Sequence, residues 1–329
     1  MISGSRGARR NVLFGLGAAI ISASSLASAK ASCPRPFLVV SPFGSSAFRN
    51  AQALIRESMA RVADCAFIID FKPGAAGVVG ARHALNLARS NDVLLLSSTT
   101  TTSLNPLLRT AAEIGRREDW QPVAQLYRMP IVLVSSKDAP AKLAELVALG
   151  RRQPERLTYA SSGVGQAYHL LMEHARQALG FSAMHVPYRS NHAFSVAAGE
   201  TQLAFASLEV TLPLIEAGRL NALAVLTPER LPLLPDVPAL SERLPGFACY
   251  LNVGLQASAG MASQTVAALN AARNAALAPD ARARIDLERT GVVVPASHPP
   301  EAYGAELERE YLFWQSLVHR LGGPAMLQE

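Results

Sequence analysis

The 329-residue sequence has no basic block with interleaved aromatics, so nothing in it marks a nucleic-acid surface. Its formal charge of +6 overstates the mature balance. Residues 1–29 hold Arg6, Arg9 and Arg10 and no acid, and without those arginines the charge is +3. Beyond this N-terminal stretch no run is long and apolar enough to span a bilayer. There is no Gly-x-Ser-x-Gly elbow and no His-Glu-x-x-His pair. His169, His174, His185 and His192 lie near one another in sequence, but His169 and His174 are five apart and diverge on a helix. In Gly163-Val164-Gly165-Gln166-Ala167-Tyr168 a tyrosine stands where a dinucleotide fingerprint needs glycine. The candidate loops carry no paired carboxylates for acid–base work. These absences point away from catalysis, and no metal or cofactor is expected. Cysteine is scarce too: Cys33, Cys65 and Cys249 fit no zinc spacing.

What is present begins with a leader. Arg6, Arg9 and Arg10 form a basic n-region, residues 12–26 an apolar stretch rich in Gly and Ser, and Ala27-Ser28-Ala29 a small-x-small cleavage site. The expectation is export to the periplasm with cleavage near Ala29. Arg9-Arg10 followed by Leu13 and Phe14 leaves the Sec and twin-arginine routes both open. Lys30, three residues before Cys33, argues against a lipobox. Export permits a disulfide. Cys33 precedes a strand at 37–41 and Cys65 one at 67–71; if those strands are parallel neighbours, a Cys33–Cys65 bridge follows and Cys249 stays free.

The length and the 50% hydrophobic content suit two α/β domains. Residues 156–160 read as a strand, Ser161 to Gly165 as a small-residue loop, and Ala167, Leu170, Leu171, His174 and Ala178 as one helix face. Gly180 sits where a left-handed cap belongs, and 181–186 reads as the next strand. This is a βαβ unit, which implies parallel pairing. Its loop meets the free N–H groups and positive dipole end of a helix, a setting that suits a carboxylate or phosphate and equally an unliganded N-cap turn.

Elsewhere the pattern predicts strands at 37–41, 67–71 and 93–96, and a helix over 47–62. The glycines of 72–80 lack a following Gly-Lys-Ser/Thr, which leaves close packing of loop on sheet as their role. Strand 93–96 runs into Ser97, Ser98, Thr99, Thr100, Thr101, Thr102 and Ser103, read here as neutral donors facing a ligand outside the strand carboxyl ends. Residues 120–127 and 131–135 read as two extended segments around Met129-Pro130, with a domain crossover near there. Residues 250–256 read as the return crossing, and 262–277 and 300–321 as helices on the first domain.

FKPGAAGVVGA at 71–81, LLLSSTTTTSLNPLL at 94–108, YASSGVGQAYHL at 159–170, HVPYRS at 185–190, EAGRLNALAV at 216–225 and LPDVPALSE at 234–242 follow one another in a specific order. With them, and with its export leader, the chain resembles the receptor proteins of tripartite tricarboxylate transporters, the TctC or Bug family, over essentially the whole mature sequence. The resemblance implies an α/β, two-domain Venus flytrap fold of the periplasmic-binding-protein kind, with mostly parallel sheets, helices on both faces and a ligand cleft between the domains. Residues 30–130 with 253–329 form one domain and 131–252 the other. It further implies a monomeric receptor that binds a small carboxylate through main-chain and hydroxyl donors and delivers it to the membrane subunits of such a transporter. Matched onto this chain, the ligand loops are Phe43, Ser45, Ser46, Thr99, Thr100 and Thr101 from the first domain, and Ser161, Ser162, Gly163, Tyr188 and Ser207 from the second. Two departures stand out. The first loop, Pro42 to Arg49, is short and holds no acid, and Ala206-Ser207 replaces a frequent Asp-Asn.

Two other functions compete with transport: a ligand sensor feeding a sensor kinase, and a secreted hydrolase using Ser161 or Ser162. The carboxylate is expected to bind without a dedicated cation, with Arg189 facing solvent.

Overall fold

A computed structural model describes residues 35–324 apart from 45–47, 90–91, 155 and 189–191. The leader, Cys33, Ser45, Ser46 and Arg189 therefore lie outside the described residues. Among the described residues no helix is long and apolar enough to cross a membrane.

The strands are β1 (Phe37–Ser41), β2 (Phe67–Phe71), β3 (Val93–Ser98), β4 (Trp120–Ser136), β5 (Thr158–Ser161), β6 (Met184–Pro187), β7 (Leu203–Ser207), β8 (Leu220–Val225) and β9 (Tyr250–Ser258). The helices are α1 (49–63, with a π turn over Leu54–Met59), α2 (Val78–Ala88), α3 (100–108), α4 (Leu143–Arg152), α5 (Ala167–Leu179), α6 (His192–Ala197), α7 (Leu208–Glu216), α8 (Ser263–Ala276), α9 (Arg282–Arg289) and α10 (Pro300–Arg320). The strands run in the order β2-β1-β3-β9-β4-β7-β5-β6, with β8 also on β4. β1 pairs in parallel with β2 and β3, and β5 with β6 and β7. The antiparallel pairs all involve β4 or β9.

β4 departs from the two segments expected there. It runs unbroken for 17 residues, through Pro122 and Pro130. Each proline lacks a ladder N–H, and each stands where the ladder is already interrupted. At Pro122 the register against β9 slips, and at Pro130 the pairing with β9 ends, β7 and β8 taking over from Ile131 and Val132. This partner change gives the α/β chain two sheet halves, with β4 running through both and β9 pairing beside it in the first.

The buried strands explain themselves. All six residues of β3 are buried, as an interior strand between β1 and β9 requires when both its faces are covered. In α1, Ala51, Leu54, Ile55 and Met59 form the expected inner face, each at most 2% exposed. The glycine loop before α2 is held by contact: a Cβ on Gly80 would lie 2.4 Å from Pro42 Cα. Gly180 caps α5 with φ 67°, and β5 and β6 are parallel, so the βαβ unit is present as read. Cys65 is disulfide-bonded and Cys249 is free.

Candidate functional site

The residues singled out from sequence lie at the ends of β5 and β7 and in the segments following β1, β3, β5 and β6. On the β1 side, Phe43 packs edge-on against Phe48 at 5.0 Å, and the Ser41 hydroxyl donates to the Phe43 carbonyl at 3.0 Å. Around Gly77 the loops meet: a Cβ there would touch Thr101, Pro42 and the Phe43 ring at 3.2–3.4 Å. Phe43 and Thr101 thus share one wall.

The hydroxyl run after β3 is divided. Thr99 is 2% exposed; its hydroxyl accepts the Asn252 N–H at 2.8 Å and donates to Glu310. Thr102 and Ser103 donate to the other Glu310 oxygen at 3.3 and 3.2 Å. The Thr101 hydroxyl bonds back to Ser98. The expectation that Thr99 offers its hydroxyl to a ligand is therefore corrected. A fully buried carboxylate needs donors, and the nearest hydroxyls supply them. Burial pushes the Glu310 carboxyl up to about 7, against the lowering effect of the Thr99, Asn252 and Ser103 bonds. Thr100 stays partly exposed at the start of α3.

After β5 the Ser161 hydroxyl is likewise engaged, 2.6 Å from His185 Nε2 and accepting the Gly163 N–H at 3.1 Å. Ser161 has no exposed surface. Ser162 and Gly163 are partly exposed, and among the described residues the Ser162 hydroxyl has no hydrogen-bond partner. Gly163 adopts φ 122°, a conformation that disfavours any side chain. Beneath the loop, His185 lies between His169 and Tyr159, with centroids 4.3 and 4.8 Å away. Burial lowers both imidazoles, His185 to about 4, so the stack is neutral. His169 Nδ1 accepts the Gly165 N–H at 3.2 Å, and Tyr159 donates to Glu173, which pairs with Arg176 at 2.6 Å. His169 and His192 are buried and His174 and His185 half-buried, and no group of three metal-ligating side chains occurs among the described residues.

Ser207 ends β7 and is buried, and its carbonyl accepts the Thr211 hydroxyl at 3.0 Å. The Tyr188 hydroxyl bonds Glu200 at 3.1 Å rather than standing free. Glu209, two residues past Ser207, accepts from Asn50 of α1 at 2.9 Å, and Asn50 also reaches Thr290 at 3.1 Å. This contact joins the end of the β7 loop to the start of α1. Glu209 thus supplies an acid just past the Ala206-Ser207 pair, which itself holds none, and burial raises its pKa.

The sequence pattern missed Glu310, Glu209 and His185 as members of these loops' surroundings. For Glu310 a signal existed. In α10, Tyr303, Leu307, Glu310, Trp314 and Leu317 occupy one buried row at helical spacing, and an acid in that row must have buried donors.

Residues 48–298 match the tripartite tricarboxylate transporter family receptor, more than half of the chain. The chain belongs to that receptor family. Within it, a UPF0065 protein of Bordetella pertussis is 31% identical over 230 residues, covering 68% of this chain and 70% of the relative. Among solved structures, the Rhodopseudomonas palustris protein Rpa4515 with adipate superposes with a TM-score of 0.78 at 25% identity, covering 88% of this chain and 98% of that one. MatC from the same organism, with bound malate, gives 0.74 at 26% identity, covering 87% and 99%. The fold is the two-domain periplasmic-binding-protein fold, and members of this receptor family bind solutes rather than transform them. The 2.6 Å approach of Ser161 to His185 is therefore structural, and the hydrolase alternative falls. Ser161 is buried, and the partly exposed Ser162 has no base bonded to it among the described residues.

Proposed function

We propose that this receptor captures a small organic acid between its two lobes, 30–130 with 253–329 and 131–252, and delivers it in the periplasm to a tripartite tricarboxylate-type membrane transporter. Ser162, Gly163 and the start of α3 at Thr100 contribute neutral donors, Phe43 an apolar wall, and Ser45 and Ser46 complete the short first loop. Two helix N-termini, those of α3 and α5, follow these loops, and fixed N–H dipoles stabilise an anion with little reorganisation. What supports this reading is that the partly exposed Ser162 and Thr100 stand at strand ends in the two different sheet halves, and that Asn50 of α1 donates to Glu209 of α7 across those halves. Donors on both sides engage together only on closure, so the ligand favours the closed form. The adipate and malate bound by structural relatives set the size class to test first.

Calorimetric titration with adipate, malate and a panel of mono-, di- and tricarboxylates tests the reading. Saturable binding of at least one acid, weakened by Ser162→Ala, is the expected result; heat from none of them overturns it. N-terminal sequencing of the exported protein should begin at Lys30 or within a few residues of it.

A further inference from the structure

Glu310 is the one acid in the buried row of α10, and its hydrogen-bonding hydroxyls all come from the run that follows β3. Thr99, Thr102 and Ser103 donate to it from the β3 loop. From β9 the Asn252 N–H donates to Thr99, so that strand reaches the acid through the threonine hydroxyl. Asn252 in turn accepts from Gln125 of β4 at 2.5 Å. One buried carboxylate thus ties the hydroxyl loop to β9, and through Asn252 and Gln125 to β4, the strand that runs through both sheet halves.

We propose that Glu310 is a positioning residue of the cleft, holding the Thr99–Ser103 loop in its binding form, and that it takes up one proton from solvent when a carboxylate enters. This rests on the carboxylate reading above. The charges around Glu310 make the coupling. Its hydrogen-bond partners are all neutral. The acid acting on it from its own helix is Glu306, and the nearby Tyr303 hydroxyl and Cys249 thiol are kept neutral by burial. Glu310, already raised to about 7 by that burial, has little further to go. A ligand anion arriving at the head of α3 adds a second negative charge to one weakly screened region, and two carboxylates sharing a site favour one proton between them. The balance is simple: receptor carboxylate, ligand anion and one solvent proton give a complex with Glu310 as the neutral acid. Protonated Glu310 donates one bond, and the facing hydroxyl turns to accept it, so the loop stays tied in both states.

The test uses the full exported protein and the tightest-binding acid of the panel, with calorimetry at pH 6 and pH 8 in phosphate and in Tris, whose ionisation heats differ. Wild type should bind up to about tenfold tighter at pH 6 than at pH 8, the limit for one linked proton, and should take up close to one proton at pH 8. Glu310→Gln mimics the neutral acid. It should bind at pH 8 as tightly as wild type does at pH 6, with a flat profile and no buffer-dependent heat. A purely structural Glu310 would change affinity at all pH values alike and leave proton uptake in place. Should Glu310→Gln not fold, the wild-type infrared difference spectrum replaces it: a protonated-carboxyl band that grows on adding the acid, and shifts in Thr99→Val, is expected. Acid binding without proton uptake, or uptake that persists in Glu310→Gln, overturns the proposal and leaves the carboxylate reading standing. If no acid binds wild type, that reading fails and the proposal with it.

Discussion

The loops after β3 and β5 look alike in sequence, both rich in hydroxyls at the end of a buried strand and the head of a helix, yet they are built on opposite foundations. The β3 loop turns Thr99, Thr102 and Ser103 inward onto a buried acid. The β5 loop rests Ser161 on a neutral stack of His185, His169 and Tyr159 and leaves Ser162 outward. A hydroxyl is both donor and acceptor, so its composition alone does not decide which way it faces. The nearest unmet buried group decides, and the same letters are tied inward at Thr99, Thr102, Ser103 and Ser161 and left outward at Ser162.

Replacing the acid should produce the largest difference between the two. Glu310→Leu strips the Thr99 and Ser103 hydroxyls of their acceptor inside the core and should cost about 2–4 kcal/mol, read from urea unfolding, while Glu310→Gln costs less. An equal loss in both variants would mean that shape, not the bonds, holds this loop.

Titration separates the loops next, with opposite signs. The Glu310 carboxyl is raised from 4.5 to about 7 in the folded protein. Its contribution to stability is full below pH 4.5, declines between pH 4.5 and 7, and stays lost above. The size is at most about 3 kcal/mol. His185 is lowered from 6.5 to about 4, so its contribution is full above pH 6.5 and is lost as pH falls towards 4. Glu310→Gln should flatten the neutral-side decline of the unfolding free energy, and His185→Asn the acid-side one. If each variant flattened the other's limb, the assignments would be reversed.

Binding divides them a third way. Ser162→Ala should weaken acid binding by about 1.5–3 kcal/mol if its hydroxyl bonds the charged group, whereas Ser161→Ala should act mainly on stability. Equal losses of affinity would erase the distinction between outward and inward serine. The smallest effect is expected at the bridge between the halves. Asn50→Ala removes the bonds to Glu209 and Thr290 and should shift the balance towards an opened cleft by about 1 kcal/mol, seen as a larger radius of gyration of the ligand-free protein by small-angle scattering.

Much of the architecture was legible because it rests on local chemistry. The apolar run of β3, the inner face of α1 and the glycine cap of α5 each follow from spacing within one segment. β4 was not, because two prolines normally end a strand, and only the partner change at Ile131 shows why they are tolerated. α9 was missed for the opposite reason. Its sequence, RARIDLER, buries only Leu287, so no apolar periodicity announces it.

The sequence by itself determined where the loops stand, since strand ends, helix starts and glycine turns are set within a few residues of each other. Tertiary structure alone decided what each loop faces. Thr99 meets Glu310 across 211 positions of chain, and Asn50 meets Glu209 across 159. A hydroxyl's direction answers to whichever buried acceptor the fold brings to it, and that group lies far outside any local window.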